Sequence, residues 1–362
     1  MQTTVAVGDP KAVKRWATAL AVDVAKNEYF TKFSGTGENN IIQQKTDLED
    51  DAGDEIKFDL SMRLRQKPVF GDARIEGKEE NLTFYSDKVL IDQVRKAVSA
   101  GGRMSRKRTL HDYRAIARER EGEYMAEWMD ELKFVYLSGA LGINEDALLD
   151  AAFAGNSITA PDATHLLYAG AAQSKATLQA TDKMSVNLVE RASTRTTMMN
   201  AVNPNAVQMR PVTVEGGKHF VLVMSPFQSY DLRTEAGDQG WSKIAQAAAA
   251  AEGRNSPIFK GKLGMINNVI LHEHSNVRRF NDYGVGANVP AARALLLGRQ
   301  AGVEAYGSAG RGSRYTWVEK LLDADNEVAI YCGVICGFKK STFNNLDFGV
   351  LALDTAAKDP NA

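Results

Sequence analysis

Residues 55–65, EIKFDLSMRLR, alternate polar and apolar side chains without a slip. Ile56, Phe58, Leu60, Met62 and Leu64 fall on one face of an extended strand. Glu55, Lys57, Asp59, Ser61, Arg63 and Arg65 fall on the other. A second extended run, ENLTFYSDKVLI, covers residues 80–91. The tip between them, QKPVFGDARIEGK, carries Pro68, Gly71 and Gly77. This pattern predicts a long β-hairpin whose first strand would extend about 37 Å at ~3.4 Å per residue. A two-stranded ribbon is marginal in water. Its apolar face needs a cover, from its own chain or from another one.

On the N-terminal side, residues 1–54 read as an arm with one helix over 9–27, where Val13, Trp16, Leu20, Val22 and Val24 give an imperfect apolar face. The acidic stretch KTDLEDDAGDE is a linker by composition. On the C-terminal side, Leu110, Tyr113, Ala117, Tyr124, Trp128, Leu132 and Val135 recur at helical spacing and predict a helix of about 29 residues, roughly 44 Å long, stopped by Gly139. Arg120, Glu121 and Gly122 interrupt the stripe, so its middle is expected to be partly wet.

Further along, SVNLVERASTRTTMMN reads as a helix and HFVLVM as a buried strand. Ser225-Pro226 then caps the helix PFQSYDLRT. The alanine run WSKIAQAAAAAEG predicts another helix, and NNVILHEHSNV a strand. RALLLGRQAGVEAYG is a strand or helix leading into a loop, GSAGRGSR, and the end of the chain is strand-rich. Helices and strands mix without regular βαβ alternation, so the fold class is α+β.

The chain has 362 residues, a formal net charge of −1, 44% hydrophobic and 25% charged residues. That is ordinary for a folded protein and too neutral for a general nucleic-acid glove. No apolar run approaches the ~20 residues that span a bilayer, so no membrane partner is expected. MQTTVAVGDPKAVKRW lacks a secretory layout. Two cysteines, Cys332 and Cys336, make no disulfide framework, and a reducing cytosol is the expected compartment.

Candidate chemistry is thin. His272 and His274 of LHEHS share one strand face at a spacing seen in metal sites, but His111, His165 and His219 sit in no motif that supplies a third ligand. Cross-strand polar residues are the plainer account. CGVIC places Cys332 and Cys336 four apart, as two small buried hydrophobes rather than a redox or zinc pair. Asp323, Asp325 and Glu327 resemble the opening of a calcium loop but lack its glycine and distal glutamate, so DADNE reads as a turn. The glycine near Lys262 does not fit a phosphate loop, no Gly-x-Ser-x-Gly elbow exists, and the NLT at Asn81 means nothing without secretion. No cofactor and no enzymatic activity are expected.

One charge feature stands out: Arg103, Arg106, Lys107 and Arg108 at the start of the long helix, where cations oppose the helix dipole. They read either as a solvated loop or as a seat for an anionic partner, and the hairpin tip offers Glu76, Glu79 and Glu80. A projecting hairpin keeps those carboxylates far from Arg106 in one chain, whereas between chains they could meet. Phe58, Leu60 and Met62 are then expected to be sheltered by a second copy. Two other function classes stay open: a metal-dependent enzyme using His272 and His274, and a nucleic-acid module using 103–108.

Five segments in series, GDARIEGKEENL, VLVMSPFQSYDLRT, NSPIFKGKLGMINNVILHE, RALLLGRQAGVEAYG and NEVAIYCGVICGFKKSTFNNLDFGVLALDT, carry a resemblance. From about residue 50 to the C-terminus the chain resembles the tailed-phage major capsid proteins typified by coliphage N-four. Lys78 stands where that family more often shows Asn, and Asn268 where it usually shows Gly. The resemblance implies the Hong Kong 97-type capsid fold. It would make 1–54 the N-terminal arm and 55–102 the extended hairpin loop. Residues 103–149 and 326–345 would form the peripheral domain with its spine helix, and 150–325 and 346–362 the axial domain. It also implies that the hairpin lies over the peripheral domain of an adjacent subunit. The function implied is a non-enzymatic subunit forming hexamers and pentamers of an icosahedral shell around packaged DNA, contacted without sequence preference. The virion is the implied location, reached by assembly in host cytoplasm. The short stretch before the hairpin leads to the expectation of a separate scaffolding protein, and portal and decoration proteins are further expected partners.

Overall fold

The computed structural model describes residues 10–49, 52–62, 64, 66–109, 111–145, 147–203, 206–214, 216–235, 262–308 and 314–361. The expected Ala-rich helix at 241–253 lies outside these residues. Helix α1 (Pro10–Asn27) buries Ala17, Leu20 and Val24, three and four apart. Val22 falls off that stripe and is exposed, against expectation. A 3₁₀ turn at Phe30–Phe33 leads into two short strands, β1 (Ser34–Gly35) and β2 (Ile42–Lys45). The hairpin follows as β3 (Glu55–Ser61) and β4 (Phe84–Leu90). It is shorter than its alternation suggests, seven residues per strand. Among the described residues its last ladder bond runs from the Met62 amide to the Thr83 carbonyl, 3.0 Å.

Strand β5 (Asp92–Gly102) runs into a short helix, α2 (Arg103–Arg108), and the spine, α3 (Tyr113–Ser138). The expected single helix is thus divided, because Asp112 caps α3: its side chain accepts from the Ala115 amide at 3.4 Å. Gly139 ends α3 in the left-handed region, φ +66°. The middle of α3 is wet only on one side: the Arg120 side chain is exposed, but its two successors are not. Glu121 is 1% exposed, and Gly122 lets α1 approach, with Asp23 Cβ 3.4 Å from where a Cβ would stand.

The remainder alternates strands with helices: β6 (Leu166–Tyr168), α4 (Val186–Thr197), α5 (Met199–Val202), β7 (Val212–Val214), β8 (Gly217–Met224) and α6 (Pro226–Thr234). Ser225 and Gln228 cap α6 reciprocally with Pro226 at its first position. Strands β9 (Lys262–Ile266), β10 (Val269–Glu273), β11 (Arg279–Tyr283), β12 (Val289–Leu297), β13 (Gly302–Gly307), β14 (Tyr315–Leu322) and β15 (Glu327–Lys340) come next. The chain closes with β16 (Thr342–Phe343), β17 (Leu346–Asp347) and β18 (Val350–Ala356). Between β9 and β10 the left-handed residue is Asn267, φ 52°, so Asn268 needs no glycine.

Two large sheets organise most of these elements, with β3-β4 and β16-β17 as separate two-stranded pairs. One joins β1, β2, β13, β15, β14 and β5; the other runs β6-β18-β12-β8-β10-β9, with β11 on β12 and β7 on β8. Pairing cuts across the expected boundaries. Strand β5, placed with the hairpin loop, lies along β15 from Gly102↔Glu327 to Asp92↔Cys336. Strands β13 and β14, placed with the axial stretch, pair with β15 as well. Spine and sheet interdigitate, with the Cys336 thiol 3.8 Å from Met129 Sδ and Tyr136 edge-on to Phe338.

Charged groups knit the two sheets to α3. Lys133 is buried between Glu28 and Glu304, the latter at 2.7 Å, and Gln44 donates to the same Glu304 carboxylate at 3.1 Å. Arg293 donates to both oxygens of Asp354 (2.7 and 2.8 Å), to the Tyr283 hydroxyl (3.1 Å) and to the Ser138 carbonyl at the end of α3 (2.8 Å).

Burial pushes the Glu121 carboxyl up to about 7, against a hydrogen bond with the Cys332 thiol that lowers it. A folded-state value above the unfolded one means that the native state holds the extra proton, so this group's contribution falls as pH rises from about 4.5 through about 7. Glu121→Gln is expected to leave the melting temperature at pH 4 nearly unchanged. At pH 8 it should stabilise by on the order of 3 kcal/mol. Melting curves across that range check it; an equal effect at both ends would remove the burial cause.

Candidate subunit-contact surface

The hairpin divides into a fastened root and an uncovered end. At the root, Ile56 and Val89 are buried against Leu48, Val303 and Ala305. Phe58 is half-buried and meets Phe343 edge-on, ring centroids 6.0 Å apart, and Leu60 and Met62 are half-buried too. This corrects the expectation that a second copy alone shelters Phe58, Leu60 and Met62: the first turns of the ribbon already rest on their own chain. Beyond them, Leu64 (63% exposed), Phe70 (78%), Ile75 (66%) and Leu82 (63%) have no such cover, nor does Phe84 (61%), which pairs with Ser61 on the ribbon's other face. So many large exposed apolar groups on one projection mark an interaction surface.

Polar groups hold the root. Asp87 pairs with Lys339 and accepts from the Thr342 amide and hydroxyl at 3.3 and 3.2 Å. Asn156 reads both backbone groups of Leu90, accepting from its amide at 2.9 Å and donating to its carbonyl at 2.8 Å. Gly337 lies so close that an added Cβ would stand 1.9 Å from the Leu90 oxygen.

The tip carboxylates are used locally. Glu76 pairs with Arg74, Glu79 accepts from the Gly77 amide and Glu80 from the Gln66 amide, each at 2.8 Å. The basic cluster divides. Arg103 donates to the Asp325 carbonyl (3.1 Å) and Arg106 to the Asn326 carbonyl (3.2 Å), so both grip the turn after β14. That turn is tight, with Asp323, Ala324 and Asp325 all at positive φ, and nothing in the sequence shows its carbonyls aimed at the arginines. Lys107 and Arg108 are exposed, without a partner among the described residues. The structure does not bring Glu76, Glu79 or Glu80 to Arg103, Arg106, Lys107 or Arg108 within one chain.

The metal candidates sit in an aromatic box. His272 is buried edge-on to Phe33, and His274 stacks on Phe134 with centroids 4.9 Å apart. Burial, with Lys32 and Arg278 nearby, lowers the His274 imidazole to about 4, so it stays neutral at pH 7. Among the described residues no three His, Cys, Asp or Glu side chains converge for a metal. Cys332 and Cys336 are buried free thiols, and burial pushes Cys332 up to about 12. No helix of the described residues is long and apolar enough to cross a membrane. The buried Lys133 and Arg293 clusters escaped the sequence reading; the single hint was a lysine inside the apolar run LKFVYL.

A family model described as Phage capsid protein matches residues 4–359. The chain belongs to the phage capsid protein family. The major capsid protein of Pseudomonas phage KPP25 is 28% identical over 94% of both chains. The capsid of Ralstonia phage GP4 is 57% identical, covers 100% of both chains and superposes with a TM-score of 0.87. The cyanophage Pam1 capsid, 23% identical over 92% and 94% of the two chains, shares the fold at a TM-score of 0.71. The mixed helix-and-sheet architecture is thus that of the Hong Kong 97-type capsid subunits. This is a structural family rather than an enzyme family.

Proposed function

We propose that this chain is the shell-building subunit of a tailed double-stranded DNA phage, forming the hexamers and pentamers of an icosahedral capsid in host cytoplasm. The carrying observation is the outer half of the hairpin, from Leu64 to Phe84, whose apolar side chains find no cover in their own chain. Burying five such groups at about 1.5–3 kcal/mol each gives a gross figure near 10 kcal/mol per contact before ordering costs. Repeated around a closed shell, that favours assembly strongly. The cover is an adjacent copy, and Lys107 and Arg108 of a second neighbour meet the acidic tip of the hairpin. The five sequence segments support a place in the coliphage N-four group. Scaffolding, portal and decoration proteins are the further partners this role calls for, and the genome is contacted through its phosphates.

Negative-stain images of the purified protein are expected to show shells or rings. Leu82→Ser with Phe84→Ser should leave the fold intact by circular dichroism and abolish those particles. A double variant that still assembles at the normal yield would sink the proposal.

A further inference from the structure

Beside the hairpin root lies an open apolar groove of about 230 Å³, lined by Leu60, Met62, Val207, Met209 and Pro211, with Arg210 at its edge. The lining is chiefly aliphatic and thioether, with Ser61, Asn200 and Gln208 as its polar members and Arg210 as its one cation. Arg210 is half-buried and has no side-chain partner among the described residues.

At the far end of the same hairpin, the Ala73 amide bonds back to the Phe70 carbonyl at 3.4 Å, and Gly71 takes a positive φ of 60°. This turn carries two exposed side chains. Phe70 is 78% exposed, and Asp72, two residues on, is an exposed carboxylate without a partner among the described residues. One aromatic ring with one anion beside it faces outward, and one apolar slot with one cation beside it stands empty of it. In its own chain the ring does not occupy the slot.

We infer that the groove receives the Phe70 turn of a second copy, the ring entering between Met62 and Val207 and Asp72 pairing with Arg210. The groove and the turn are different surfaces of one chain, so the contact is head-to-tail and closes rings or extends a lattice. A buried aromatic anchor beside a charge pair at the rim is the composition of an interface hot spot. The inference rests on the proposal that the hairpin is an assembly arm, and adds the site on the neighbour that takes its tip. Methionine walls suit this role, since their flexible thioethers mould around a ring.

The test places p-benzoylphenylalanine at Phe70, a replacement that keeps the aromatic ring, irradiates assembled particles and maps the linked peptides by mass spectrometry. Cross-links to residues 60–62 or 207–211 of another copy are expected. Inter-subunit cross-links that fall elsewhere overturn the groove and leave the assembly proposal standing. Links confined to one chain, or a protein that stays monomeric, overturn both. A charge exchange gives the second measurement: Asp72→Arg and Arg210→Asp should each slow particle formation several-fold, and the two together should restore it. Singles without effect, or a double variant as slow as its parents, removes the pairing.

Discussion

Replacing Lys133 with methionine is expected to be the most damaging single change in the core. The ammonium lies fully buried between Glu28 at the end of α1 and Glu304 on β13, 2.7 Å from the latter. Burial alone would lower its proton affinity, but the two carboxylates more than offset this and raise it. Methionine matches the volume but leaves two carboxylates facing each other without a cation. Breaking a buried pair from one side costs about 3–5 kcal/mol. Chemical denaturation should show the midpoint falling accordingly, and mild acid should recover part of the loss by protonating the stranded acids. Adding Glu28→Gln and Glu304→Gln to Lys133→Met should restore most of the stability, because three neutral side chains of similar volume need no counterion. A midpoint unchanged by Lys133→Met would mean that the cluster is wet.

The second large effect is steric. At Gly337 on β15, a new Cβ would stand 1.9 Å from the Leu90 oxygen and 2.9 Å from its carbon, both backbone atoms. Nothing there can rotate away, so Gly337→Ala must push the hairpin root off the sheet. The two bonds between Asn156 and Leu90 should go with it. The expected cost is a few kcal/mol, as for an overpacked core, with amide exchange accelerated over residues 84–90 and particle assembly lost. Gly122→Ala is the contrast: its Cβ meets Asp23 Cβ at an ordinary 3.4 Å, and it gains helix propensity of about 1 kcal/mol. If both variants assemble equally, the close approach at Gly337 is not what seats the arm.

Much of this architecture was legible in the chain. The alternation from Ile56 predicted the ribbon, the stripe from Ala117 to Val135 predicted the spine, and Ser225-Pro226 predicted a helix start that the capping geometry reproduces. Each is a local signal, written in neighbours two to four residues apart. What stayed hidden depends on residues far apart in sequence. Glu121 read as wet because a carboxylate in an apolar stripe usually is, yet it is buried with Cys332 of β15 beside it. Arg103 and Arg106 read as open to an anion, whereas they hold carbonyls more than 200 residues away. The described pairing of the ribbon runs from Glu55↔Leu90 to Ser61↔Phe84, with one further bond from Met62 to Thr83, because a strand needs a partner as well as an alternating pattern. The ribbon's inner side chains looked orphaned for the same reason: Val303 and Ala305, which cover Ile56, are a strand whose neighbours no local pattern reveals.

The fastening of the hairpin root at Asp87 and Leu90, set against the exposed apolar side chains of its outer span, has a mechanical consequence. Such an arm is a cantilever, stiff where it enters the wall and compliant where it touches. Copies seated at sites of unequal curvature can then differ by flexing the outer span alone, while the interior of every subunit keeps one and the same packing.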